Sequence, residues 1–196
     1  MKRTLQCILS RLLLLACMAV MPAVSWGQDS WKDLAVTDWY DGHESDPEYE
    51  ISTAAELAGL VQLVINRTNF SGKTIKLTQD IDLESKEWLK AGSSSQNFKG
   101  TFDGQGFLVQ NLKIDVDGQA GEALYLGLFP CISDATIQNL GVKISQEGIH
   151  AVARFGSGPT LLYVGGIAGD SSSSTIKKLL CNWWRNNSGY GRCRLW

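Results

Sequence analysis

Histidine is nearly missing from this chain. The 196 residues hold only His43 and His150, more than 100 positions apart. A histidine-based triad or zinc site has little material here, and both residues read as solvated. Cysteine is sparse as well. Of five in the chain, Cys131, Cys181 and Cys193 lie outside the N-terminal leader. They are odd in number and their spacing matches no metal or redox motif. Cys131 reads as a small buried hydrophobe. There is no phosphate loop, no GxSxG elbow and no CxxC pair. Gly104-Gln105-Gly106 reads as a turn rather than a nucleotide cradle. A basic excess is lacking too, which argues against a nucleic-acid partner.

What is present begins with an address. Lys2, Arg3 and Arg11 form a basic region, and residues 12–24 form an apolar run too short to span a bilayer comfortably. Small residues follow at Ala23, Ser25 and Gly27. Residues 1–27 are expected to be a secretory signal peptide, cleaved after Ser25 or Gly27. Leu14-Leu15-Ala16-Cys17 resembles a lipobox. However, Met18-Ala19-Val20-Met21 stays apolar where a lipoprotein would turn polar. Removing Lys2, Arg3 and Arg11 leaves 15 basic against 20 acidic residues, a mature net charge near −5. No second long apolar run follows, so no transmembrane segment is expected in the mature chain. The expected destination is secretion or the cell surface.

Residues 28–50 are polar and aromatic, an extended lead-in carrying Trp31, Trp39, Tyr40, Asp41 and Pro47. A helix signal follows. Thr53 and Glu56 make a capping box. Leu57, Leu60, Val61, Val64 and Ile65 then form one apolar stripe, predicting a helix over residues 54–66. After residue 70 the pattern turns to short strands bounded by Gly, Asp, Asn and Ser, and 20 glycines fit that demand. Asp103-Gly104 and Asp117-Gly118 are turn dipeptides, and the former also suits a hairpin between Phe102 and Phe107.

Phrases recur along the strand region. Leu126-Gly127-Leu128-Phe129, leading into Ala135-Thr136-Ile137-Gln138, returns 39 residues later as Gly165-Gly166-Ile167-Ala168, leading into Ser174-Thr175-Ile176-Lys177. Phe70-Ser71-Gly72 and Phe98-Lys99-Gly100 are 28 apart. So are Asn111-Leu112-Lys113-Ile114 and Asn139-Leu140-Gly141-Val142. Repeats at such periods predict stacked rungs that bury one another's inward side chains. Ile75, Ile137 and Ile176 are expected to form an aliphatic stack, and Asn111 and Asn139 a side-chain ladder at a turn. The 11-residue excess of the longer period lies in residues 145–163, which read as a strand–turn–strand finger around Phe155-Gly156-Ser157-Gly158-Pro159. Such an excursion is a natural place for binding residues. The predicted helix would close one end of the stack, where an open strand edge is a liability.

Ile51-Ser52-Thr53-Ala54-Ala55-Glu56-Leu57 and Phe70-Ser71-Gly72-Lys73-Thr74-Ile75-Lys76-Leu77-Thr78-Gln79-Asp80-Ile81-Asp82-Leu83 carry a resemblance. Phe98-Lys99-Gly100-Thr101-Phe102-Asp103-Gly104-Gln105-Gly106 and Gly127-Leu128-Phe129 extend it. In order and wording, this stretch resembles bacterial surface proteins with GLUG-motif repeats. The resemblance covers about residues 50–177. It implies an all-β fold, a short right-handed parallel β-helix with one N-terminal capping helix. It further implies an adhesin-like role. The repeat carries no known chemistry, so no catalytic residue transfers.

The chain departs from this pattern after Ser174-Thr175-Ile176-Lys177. Such repeats usually continue Asn-Cys-Tyr-Ala-Thr-Gly, whereas here Lys178-Leu179-Leu180-Cys181-Asn182-Trp183-Trp184-Arg185 follows. Residues 177–196 hold five basic residues, no acidic one and three of the seven tryptophans. If Lys177-Lys178 is encoded by six adenines, removing one opens a frame that can read Lys-Asn-Cys-Tyr-Ala-Thr-Gly-Gly. The two tryptophan codons force the glycine pair. Residues 178–196 are therefore expected to be an out-of-frame tail, the alternative being a genuine basic, Trp-rich one.

Asp80 and Asp82 are paired carboxylates two apart, the arrangement that would place both on one strand face toward a groove. Their phrase belongs to the repeat's structural wording, which favours a turn or solvent-facing role. Asp115, Asp117 and Gly118 faintly echo a calcium loop but lack the remaining ligands. Trp39, Tyr40 and Trp88 suit sugar stacking, although packing is the commoner use. No catalytic, metal-binding or cofactor-binding residue is assigned, and no cofactor. The expected function is a non-catalytic secreted or surface module, 51–177, for adhesion to a host or environmental glycan or protein. A polysaccharide-active β-helix enzyme and a nonfunctional truncated remnant are the alternatives.

Overall fold

The computed structural model describes residues 30–154 and 160–181. They form one helix and thirteen strands. The helix, α1 (Ala54–Ile65), starts where its cap dictates. Thr53 Oγ1 accepts from the Glu56 N–H at 3.2 Å, and Glu56 Oε2 accepts from the Thr53 N–H at 2.9 Å. The reciprocal pair satisfies two otherwise orphaned donors. Leu57, Leu60, Val61 and Val64 are buried and join the main core. Gly59 sits mid-helix for a steric reason. A Cβ there would lie 1.9 Å from the Val36 carbonyl oxygen, so the lead-in crosses the helix at the one position without a side chain.

The strands are β1 (Glu48–Ile51), β2 (Thr74–Leu77), β3 (Ile81–Asp82), β4 (Thr101–Asp103), β5 (Leu108–Gly118), β6 (Ala123–Leu126) and β7 (Phe129–Ser133). Then come β8 (Thr136–Gln138), β9 (Gly141–Ala153), β10 (Leu161–Val164), β11 (Ala168–Ser172), β12 (Thr175–Lys177) and β13 (Leu180–Cys181). They build small open sheets, ordered β1-β2-β4-β8-β12 and β13-β9-β5-β3, with two-stranded pairs β6/β10 and β7/β11. Every paired strand runs parallel to its neighbour. Parallel neighbours need a long connection between them. The chain therefore leaves each sheet and returns later to extend it. The hairpin reading of Asp103-Gly104 is not realised, because β4 and β5 flank that turn and belong to different sheets.

The returns align inward side chains. Tyr49, Ile75, Phe102, Ile137 and Ile176 occupy one register position across five strands. Ile75 and Ile137 thus share a column, but Phe102 lies between them. A second column is aromatic: Phe70 lies 5.9 Å from Phe98, and Phe98 lies 5.3 Å from Phe129. All three rings are buried. Full burial of such a side chain is worth about 1.5–3 kcal/mol.

The 39-residue phrase matches the register, pairing Phe129 with Ala168 and Ile137 with Ile176. The 28-residue phrase brings Phe70 against Phe98, although the strands after them pair 27 apart, and it does not hold for the asparagines. Gly141 pairs with Leu108, and Leu112 with Ile144, so Asn111 and Asn139 do not stack. They occupy two similar corners in different sheets. At the first, Gln110 and Asn111 both donate to Asp82, at 3.0 and 2.8 Å. At the second, Gln138 and Asn139 both donate to Asp103, at 2.8 and 2.9 Å. Asn111 and Asn139 both adopt left-handed backbone, φ 61° and 51°, which asparagine tolerates better than most residues. The phrase recurs because the corner recurs.

The passes are unequal in one place. From Thr74 to Ile81, Thr101 to Val109 and Thr136 to Val142 the chain takes 7, 8 and 6 residues. The return legs, Ile81 to Thr101, Val109 to Thr136 and Val142 to Thr175, lengthen through 20, 27 and 33. The excursion at 145–163 is the last of these legs. Its arms are not free-standing: Ile149 to Ala153 lie beside Ile114 to Gly118, and Leu161 to Val164 beside Ala123 to Leu126. Tyr163 stacks on Tyr125 with centroids 4.7 Å apart. The expected turn at 155–159 lies outside the described residues, as do the leader and residues 182–196. Asp117-Gly118 closes β5 rather than making a turn.

Lead-in aromatics close the structure at its first pass. The Trp31 indole donates to the Leu83 carbonyl at 2.8 Å, and Trp39 and Tyr40 cluster with Tyr49 and Phe70. Among the described residues no helix is long and apolar enough to cross a membrane.

Candidate functional site

The lead-in, the C-terminal end of α1 and the second and third passes enclose a cleft of about 540 Å3. Glu87 is its organising residue. The Glu87 backbone bridges Ser30 on one side and Lys113 on the other, both in parallel. Its carbonyl accepts from the Trp31 N–H at 3.0 Å, and the next N–H, of Trp88, donates to the Lys113 carbonyl at 3.0 Å. Glu87 Oε1 then accepts from the Asp115 N–H at 2.8 Å. Trp88 is buried beneath, its indole fixed to the Leu128 carbonyl at 3.0 Å. Backbone pairing on both sides gives the Glu87 carboxylate a rigid base.

Electrostatics distinguish this carboxylate from the others. Burial pushes the Glu87 carboxyl above the usual range. The Asp115 N–H opposes that shift, the Asp115 charge adds to it, and Lys113 and Lys90 offset part of it. Asp115 lies at the cleft rim, 3.1 Å from His150 Nδ1 in the following pass. Lys32 and Lys90 also line the cleft, with Gln62 and Asn66 from α1. Lys113 is paired with Glu147, whereas Lys32 and Lys90 make no ion pair among the described residues. A half-buried carboxyl with a raised pKa in a cleft is a recognised mark of a functional site. Chemically, it can hold a proton at milder acidity than a free side chain, and the two lysines can take an anion.

The residues singled out from sequence lie mostly elsewhere. Asp80 accepts from the Leu108 N–H at 2.8 Å, and Asp82 is engaged by Gln110, Asn111 and the Glu84 N–H, so both brace corners. Burial opposes ionisation of Asp82 and of Asp103. The side-chain amide and backbone donors outweigh it, holding both carboxyls below the usual range. Asp117 pairs with Arg154 and Asp115 with His150, while His43 pairs with Asp46 at 3.3 Å. No set of three His, Cys, Asp or Glu side chains able to hold a metal occurs among the described residues. Trp39, Tyr40 and Trp88 pack rather than present an open face. Cys131 is buried, and burial pushes its thiol up to about 12. Gln105 and Gly106 form a turn at φ 54° and 89°.

Of the cleft residues, Trp88 and Asp115 carry a signal in the sequence, each for another role. Glu87 and Lys90 do not. They sit in a short stretch without periodicity or motif, and only pairing with Ser30 and Lys113 brings them to the cleft. Comparison with family models, curated proteins and solved structures finds no match to this chain.

Proposed function

We propose that the chain is a secreted or cell-surface parallel β-helix module that binds a glycan or protein ligand without chemistry on it. The observation that carries this reading is the all-parallel order β1-β2-β4-β8-β12, with one inward column running through it from Tyr49 to Ile176. A stack of passes is a stiff scaffold on which a cleft and a lengthened excursion are held in fixed relation. Helix α1 serves as the cap of the first pass, and the GLUG-like phrases support a place among adhesin-like surface proteins. The direct test is retention of the purified chain on an array of glycans and matrix proteins. Saturable binding to one class supports the module, and a folded chain that binds nothing removes it.

A second reading, a polysaccharide-active enzyme, draws on Glu87. Its raised carboxyl beside Asp115 and Lys90 suits proton transfer in a sugar-cleaving site. Release of reducing ends or unsaturated products from polysaccharides, abolished in Glu87→Gln, would establish it.

We also read residues 178–196 as out of frame. Lys178 takes the left-handed position, φ 54°, that Asn139 holds one pass earlier, and lysine is poorly suited to it. The gene sequence across Lys177-Lys178 decides this. If no single-base deletion restores a glycine-rich repeat, the reading fails.

A further inference from the structure

We propose that the Glu87 cleft takes an anionic sugar, with Lys32 and Lys90 receiving its carboxylate and Glu87 accepting from a ring hydroxyl. The inference rests on the reading of the chain as a glycan-binding module and names the ligand class of its cleft.

Charge accounting leads there. The mature chain is acidic, so an anionic ligand meets repulsion over most of its surface. At this cleft the balance changes. Lys113 is matched by Glu147, and the cleft sets Lys32 and Lys90 against Glu87 and Asp115, so the acidic excess of the chain is absent there and the two lysines make no ion pair among the described residues. The two ammonium groups, free of ion pairs among the described residues, can receive a ligand carboxylate. Glu87 and the side chains of Gln62 and Asn66 provide what hydroxyls need, acceptors and amide donors. Trp88 and Leu89 lie buried beneath the cleft, and a volume of about 540 Å3 lies within the range of small-ligand sites. A neutral polyol would leave the lysines unused, and a peptide would find little apolar purchase.

The test measures affinity of the full chain by titration calorimetry for two matched probes. One is a β-1,4-linked glucuronic acid trimer, the other cellotriose, which differs in lacking the carboxylates. The acidic trimer is expected to bind and cellotriose to bind at least 10-fold more weakly. Lys32→Gln and Lys90→Gln should each weaken the acidic trimer about 5-fold, as partly exposed ion pairs do, and leave cellotriose unchanged. Glu87→Gln should tighten the acidic trimer, because it removes a repelling charge while keeping a hydroxyl acceptor; a merely structural Glu87 would give no such gain. Equal binding of both trimers, or lysine variants without effect, overturns the anionic-sugar inference while leaving a glycan-binding module intact. Binding to neither trimer, with retention on another class in the array, also overturns it alone. Binding to neither trimer and to nothing on the array removes both readings.

Discussion

Asn139 reaches across one pass to Asp103, its side-chain amide donating to Oδ1 at 2.9 Å from backbone at φ 51°. One residue thus meets two demands, a left-handed turn and a donor for a corner carboxylate. Asn139→Gly should lose the bond alone, about 1 kcal/mol. Asn139→Ala should lose the bond and keep the backbone strain, about 2–3 kcal/mol in all. Urea unfolding midpoints separate the two. Equal losses would mean that the left-handed backbone imposes no cost of its own.

The two corner carboxylates make stability depend on acid. Asp82 and Asp103 have folded values below the roughly 3.9 of an unfolded aspartate. Their contribution is complete above that unfolded value and is lost as pH falls through the lower folded ones. The contribution of these two carboxylates should therefore be flat from about pH 7 to 5 and fall below about pH 4. Replacing Asn111 and Asn139 together by alanine should flatten that acid limb, as read by urea unfolding across pH. An unchanged slope would show that other carboxylates govern it.

Phe102 sits in the Tyr49–Ile176 column between Ile75 and Ile137, fully buried and edge-on to Phe129 at 5.1 Å. Phe102→Ala should cost about 3–5 kcal/mol. Ile176, at the far end of the same column and only partly buried, should cost about 1–2 kcal/mol on truncation to alanine. Denaturation of both variants gives the gradient along the column. A larger loss at Ile176 would contradict it.

Cys131 should be inert in the folded chain. With its thiol at about 12, only about one molecule in 10,000 carries the thiolate at pH 8, against roughly one in four for a free cysteine. In a variant where Cys131 is the sole cysteine, a disulfide reagent should react only after denaturant is added. Rapid labelling of the native chain would show that the site opens.

Legibility followed the range of the interaction. The helix was readable because Thr53, Glu56 and the Leu57–Val64 stripe interact within a dozen residues. The 39-residue register was readable because the offset holds at 39 from Phe129–Ala168 through Ile137–Ile176, with no insertion between them, so the phrase keeps its wording. The 28-residue asparagine phrase misled, since Gln110-Asn111 and Gln138-Asn139 serve the same chemistry at different corners. Phe102 in the isoleucine column was hidden because it lies 27 residues after Ile75 and 35 before Ile137, intervals that no recurring phrase shows. Glu87 was invisible for the deepest reason: its neighbours Ser30 and Lys113 lie far away in sequence, and a parallel arrangement leaves no local trace of who pairs with whom.

The short outward legs of 7, 8 and 6 residues and the lengthening return legs divide the molecule into a metronome and an accordion. On the first side the legs differ by two residues at most while the column stays in register, so change there falls chiefly to substitution. On the second, added residues leave along the β5–β6 and β9–β10 arms and the column never registers them. New surface can accumulate there without renegotiating the core, and the molecule can alter what it touches while its stacking rhythm stays the same.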